Sequence, residues 1–165
     1  MNTRRTNFRG PARGFSLIEL LVVVSVILIL AAIAIPRFMS SKMRANETGA
    51  ASACRTIATS EITYDNTYQQ GYSFTLAALG PGTPATSANA DLIDPVLATG
   101  AKGGYTFTYV PIDANGDGKP EQFTVNANPV TPGVTGNRWF FVDQTNVVRY
   151  DNTGPATAAS NPIPQ

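Results

Sequence analysis

Between Phe15 and Ile35 the chain is apolar at nearly every position: 21 residues hold one charge, Glu19, and two serines. No face is spared, so the pattern predicts a helix that is hydrophobic all round. At 1.5 Å per residue it is about 32 Å long, enough to cross a hydrocarbon core of about 30 Å. Pro36 ends the run, and its missing N–H predicts a kink or loosening where Ala32 loses its hydrogen-bond donor. Beyond it the pattern turns amphipathic. Ala50, Ala53, Ile57, Tyr64 and Tyr68 form an apolar stripe at helical spacing, with Lys42, Arg44, Glu47, Asp65 and Gln69 on the other faces. This predicts a second helical segment over 36–70, with Gly71 as its C-cap candidate.

Residues 71–103 are rich in Gly, Pro, Ala, Ser and Thr and predict a connecting loop, with a short helical turn around "DLIDPVLA". The period then changes to two. "GYTFTYV", "EQFTVNA", "RWFFV" and "NVVRY" predict four short strands in hairpin order. They occupy 104–165 together with "GPATAASNPIPQ", which has too little apolar mass to fold alone and reads as an extended tail. The expected fold class is α+β, with a long N-terminal helix whose amphipathic half packs on an antiparallel sheet.

Charge adds orientation. Arg4, Arg5, Arg9 and Arg13 lie in a leader over 1–14 that has no acid; removing these four from a chain of net charge +1 leaves −3. Basic residues beside an apolar span stay on the cytoplasmic side, so the remainder is expected to be exported. The other eight basic residues form no run, which speaks against a nucleic acid as a specific partner. Cys54 stands alone, so no intrachain disulfide can form, and it reads as a small core residue. Without any histidine the chain lacks the commonest general base and the usual zinc sets. Nothing in it argues for an enzyme.

Three readings compete for the N-terminus. A secretory signal peptide could be cut after "AIA" at 32–34, but its apolar centre would be long and would hold a glutamate. A plain membrane anchor explains length and arginines, yet leaves Glu19 at a cost of about 2.5–3.5 kcal/mol if it lies centrally. The third reading uses every feature. "RGFSLIELLVVVSVILILAAIAIPRF" resembles the N-terminus of the type IV pilin family, which includes the type II secretion pseudopilins. The matching elements are the basic leader, Gly14, Phe15, Glu19 and Pro36. The resemblance implies cleavage between Gly14 and Phe15 by a prepilin peptidase, and N-methylation of Phe15 by the same machinery. It also implies that Glu19 pairs with the Phe15 amine of a neighbouring subunit during assembly, and that the helix unwinds near Pro36 in a filament. The plainer alternatives are a Glu19 that reaches the headgroup region and a gentle bend at Pro36. The long helix, loop, sheet and tail also suit that family, while the specific motif covers only residues 13–38.

One further stretch could carry chemistry. "DANGDGKPE" spaces Asp113, Asn115 and Asp117 like the first half of a calcium loop, with the Lys119 carbonyl and Glu121 to follow. The twelfth position is Thr124 and not glutamate, and strands flank the loop. The alternative is a polar hairpin turned by Asn-Gly and Asp-Gly. Most of the 15 aromatic residues fall in alternating strand positions or on the helix stripe, where a core accounts for them better than electron conduction does.

The expected protein is therefore a structural pilin subunit that polymerises with copies of itself. Its partners are a prepilin peptidase and an inner-membrane assembly machinery; its only expected ligand, if any, is calcium. The precursor is expected in the inner membrane and the product in a cell-surface filament. The alternatives are a major pseudopilin in a periplasmic filament and, from another class, a membrane-anchored periplasmic binding module.

Overall fold

A computed structural model describes residues 14–164, so the four arginines of the leader lie outside the described residues. The chain divides into two compact units, one ending at Phe38 and the other starting at Met39. The helix α1, Leu17–Tyr68, contributes to both.

In the first unit the side chains from Phe15 to Ile35 are exposed almost throughout. The helix runs through Pro36 without a break in its assignment. Among the described residues this is the one helix long and apolar enough to cross a membrane.

The second unit is built on the rest of α1. Ala50, Ala53, Ile57 and Tyr64 of the stripe read from the sequence are buried, Cys54 and Ala58 are buried beside them, and Tyr68 packs at the edge. Against them lies a meander in sequence order: β1 Ala101–Lys102, β2 Tyr105–Ile112, β3 Gln122–Pro129, β4 Trp139–Asp143, β5 Arg149–Asp151 and β6 Asn161–Pro162. All neighbours pair antiparallel. The sheet has six strands and not the expected four. The two extra strands hold two residues each, too short to show a period in sequence, and exist by pairing with β2 and β5.

The long hairpin gives the sheet its register. Tyr105 faces Pro129 and Ile112 faces Gln122, which places Tyr105, Phe107, Phe123, Val125 and Ala127 on the face toward α1. The opposite face is partly covered by the C-terminal segment, where Asn126 donates to the Ala156 carbonyl at 2.8 Å. The tail is thus anchored and ends in β6.

The connection after α1 departs from expectation at one point. The helix stops at Tyr68, and Gln69 takes the left-handed conformation at φ 53°. Gly71 has φ 76° for a different reason. A Cβ there would stand 2.5 Å from the Pro120 carbonyl oxygen, and the next amide, Tyr72 N–H, donates to that same oxygen at 2.8 Å. Glycine lets the loop between β2 and β3 close against the end of α1. The segment that follows forms a 3₁₀ turn, Leu76–Leu79, and a single helical turn, α2 Pro95–Ala98, at the position read from "DLIDPVLA".

Candidate functional site

The N-terminal residues form a capped helix start. Ser16 precedes the first helical residue, and its N–H donates to Glu19 Oε2 at 3.1 Å. This is one arm of a capping box, in which a first-turn glutamate satisfies a backbone donor that the helix leaves open. Its charge also suits the helix N-terminus. Glu19 Oε1 accepts nothing among the described residues. One carboxylate oxygen is thus committed to the chain's own backbone.

Phe15 is 85% exposed. Together with Ile18, Glu19, Val22 and Val23 it bounds a shallow cleft of about 340 Å³. A Cβ added at Gly14 would meet nothing within 4 Å. Packing among the described residues therefore does not require glycine there. Pro36 lies 17 residues beyond Glu19, within the same helix.

The second candidate is the loop between β2 and β3. The carboxylate oxygens of Asp113, Asp117 and Glu121 lie within 4.8 Å of one another. Backbone amides hold them there. Asp113 accepts from Gly116 N–H at 2.7 Å and Gly118 N–H at 2.9 Å, Asp117 from Lys119 N–H at 2.9 Å, and Glu121 from Ala114 N–H at 2.9 Å. Asn115 turns its amide oxygen to Asp117 N–H at 2.8 Å. Gly116 and Gly118 supply the left-handed turns at φ 76° and 81°. A carboxylate keeps spare lone pairs after such bonds, and clustered hard oxygens suit calcium in kind. Thr124, at the twelfth position, pairs with Val110 inside the β2–β3 ladder and takes no part in the cluster.

Sequence reasoning missed a third group. Glu61 is fully buried on the core side of α1, where Ser73 Oγ stands 2.5 Å from its Oε1 and Ser73 N–H donates to its Oε2 at 2.8 Å. Tyr109 O–H donates to the Ser73 carbonyl at 2.8 Å. Burial pushes the Glu61 carboxyl above its ordinary range; the bonds from Ser73 and Tyr109 oppose this, and nearby Asp65 adds to it. The signal was present, since position 61 continues the stripe through Ile57 by four residues.

Comparison with known proteins bears on the N-terminus. Residues 9–35 match the family described as "Prokaryotic N-terminal methylation motif". The chain is also similar to the type IV wide pilus major component PilA4 of Thermus thermophilus, at 54% identity over 37 residues. That match covers 22% of this chain and 28% of the relative. No solved structure matches. The protein is pilin-like: a long N-terminal helix, apolar at its start, backed by an antiparallel sheet. The motif and this relative support a place in the type IV pilin and pseudopilin family.

Proposed function

We propose that this chain is a structural subunit of a type IV pilus-like filament, assembled through its N-terminal helix after cleavage at Gly14 and methylation of Phe15. The observation that carries the reading is the start of α1. An apolar helix surface is left exposed from Phe15 to Ile35, and on it a single carboxylate has one oxygen without a donor among the described residues. Burying that surface against copies of itself removes it from water or lipid, and the Phe15 ammonium of a neighbour is the cation of matching chemistry for Glu19 Oε1. Before assembly the same helix holds the subunit in the inner membrane. The loop from Asp113 to Glu121 is proposed as a calcium site, with Asp113, Asp117 and Glu121 as charged ligands and Asn115 and the Lys119 carbonyl beside them.

The test is the mass of the mature N-terminus together with imaging of cells that do and do not make the chain. N-methyl-Phe15 and long surface filaments that vanish with the gene support the proposal. A mature chain starting at Ile35 or at Met1 overturns the processing. Filaments confined to the periplasm would move the protein to the pseudopilin branch.

A further inference from the structure

The eight basic residues outside the leader look scattered in sequence, but three of them line one groove. Arg44 and Arg55, exposed on α1, and Arg138, at the start of β4, line one groove of about 690 Å³, closed on its other side by Phe140 and Ile163. Glu47 is the acid within it. Its Oε1 accepts from Asn137 N–H at 2.7 Å and its Oε2 lies 3.7 Å from Arg138 Nε. Arg138 also sits over the Tyr150 ring, 5.1 Å from its centroid, which fixes the guanidinium at the groove wall. Arg44 and Arg55 have no carboxylate within 4.0 Å among the described residues. Three arginines against one glutamate leave the groove at +2.

The opposite charge lies at the other end of the same unit. The exposed tip between β2 and β3 gathers Asp113, Asp117 and Glu121, with Lys119 as its only cation, and carries −2. Its place is fixed by Tyr72 N–H donating to the Pro120 carbonyl, just past the end of α1. The groove starts at least 13 residues earlier on that helix, at Arg55, which is roughly 20 Å along its axis. Tip and groove of one copy are therefore held apart and cannot satisfy each other.

We infer that the acidic tip of one copy docks in the arginine groove of the next, so that Asp113 and Asp117 pair with Arg44 and Arg55. The inference rests on the filament reading and names a contact within it. Because the two surfaces differ and lie at opposite ends of the unit, the contact is heterologous. Repeated, it adds copies in one direction without closing, as a filament needs. Arginine is suited to this role because its planar fork pairs with a carboxylate through two parallel hydrogen bonds. Calcium and the arginines are alternative counter-ions for the same oxygens, so the contact is strongest when the loop holds no ion.

Cysteine cross-linking of the full-length chain tests it, with calcium chelated. The native Cys54 is fully buried and its thiol is pushed up to about 12, so it stays silent. A chain carrying both Arg55→Cys and Asp117→Cys should yield, on oxidation of filaments, a ladder of dimers, trimers and higher species. Either single variant should yield no ladder. A companion experiment uses charge reversal. Arg44→Glu with Arg55→Glu should cut filament yield by about tenfold, Asp113→Arg with Asp117→Arg should do the same, and the four changes together should restore most of it. Filaments of the doubly substituted chain that give no ladder, or reversed charges without effect, overturn the docking while the filament reading stands. Absence of filaments from the native chain overturns both.

Discussion

Ser73 Oγ lies 2.5 Å from Glu61 Oε1 and 3.0 Å from the Thr75 carbonyl, and its single proton cannot serve both oxygens. A neutral Glu61 resolves the shortage. The acid then donates to Ser73 Oγ, the hydroxyl donates to Thr75, Ser73 N–H reaches Glu61 Oε2, and Tyr109 O–H reaches the Ser73 carbonyl. Every donor has an acceptor in that state. Ionised, Glu61 would be a buried charge with no cation within 4.0 Å among the described residues.

The sign of the pH effect follows. Glu61 has a folded pKa raised above its unfolded value, so its contribution to stability is complete below the unfolded value, near 4.3, and is lost as pH rises through the folded one. The melting temperature of the native chain should therefore fall, relative to Glu61→Gln, as pH rises from about 4 to about 8. The amide keeps the shape and one donor without titrating. Parallel pH profiles for the two chains would show Glu61 to be ionised in the fold.

Gly14→Val should leave a folded precursor that is not processed. The added side chain meets nothing within 4 Å among the described residues, so their packing has no objection to it. Gel mobility and mass of the chain check this: the leader should remain, with α1 and the sheet intact by circular dichroism. Normal cleavage of the variant would show that the bond between Gly14 and Phe15 is not selected through its glycine.

Gly71→Ala is expected to lower stability by about 2–4 kcal/mol, since it combines a left-handed residue with a 2.5 Å approach to the Pro120 oxygen. Alanine at Gly49, where nothing lies within 4 Å and the residue is mid-helix, should instead raise it by up to about 1 kcal/mol. Urea unfolding of the two variants gives both signs in one experiment.

If the loop of Asp113, Asp117 and Glu121 takes calcium, the ion binds only the folded loop and should raise the melting temperature. The rise should vanish with chelator and in Asp117→Ala. Equal melting in calcium and chelator would leave the cluster as a set of turn caps.

The elements with a period were legible in the sequence, because burial repeats every 3.6 residues on α1 and every two on β2 and β3. β1 and β6 were not, being two residues each and dependent on their neighbours. Gly71, read as a C-cap candidate, lies beyond the helix end, and its constraint comes from Pro120 across the fold. The groove escaped notice for a related cause: Arg44 and Arg55 share a helix face, but Arg138 reaches them only through the packing of β4. At the N-terminus the motif was plain, yet the bond from Ser16 N–H to Glu19 required coordinates. That bond adds a second task to Glu19, which caps its own helix with one oxygen.

The most direct test of the account is therefore Glu19→Val, with membrane-bound subunit and assembled filament counted in the same cells. Loss of a carboxylate from an apolar span lowers the cost of insertion, so the variant should reach the membrane at least as well as the native chain. Glu19→Asp, which withdraws the charge by about one methylene, should fall between the two. The account predicts cleaved, membrane-embedded Glu19→Val subunit with few or no filaments. Filaments of native number and length from that variant would contradict it, and Glu19 would be left as a helix cap alone.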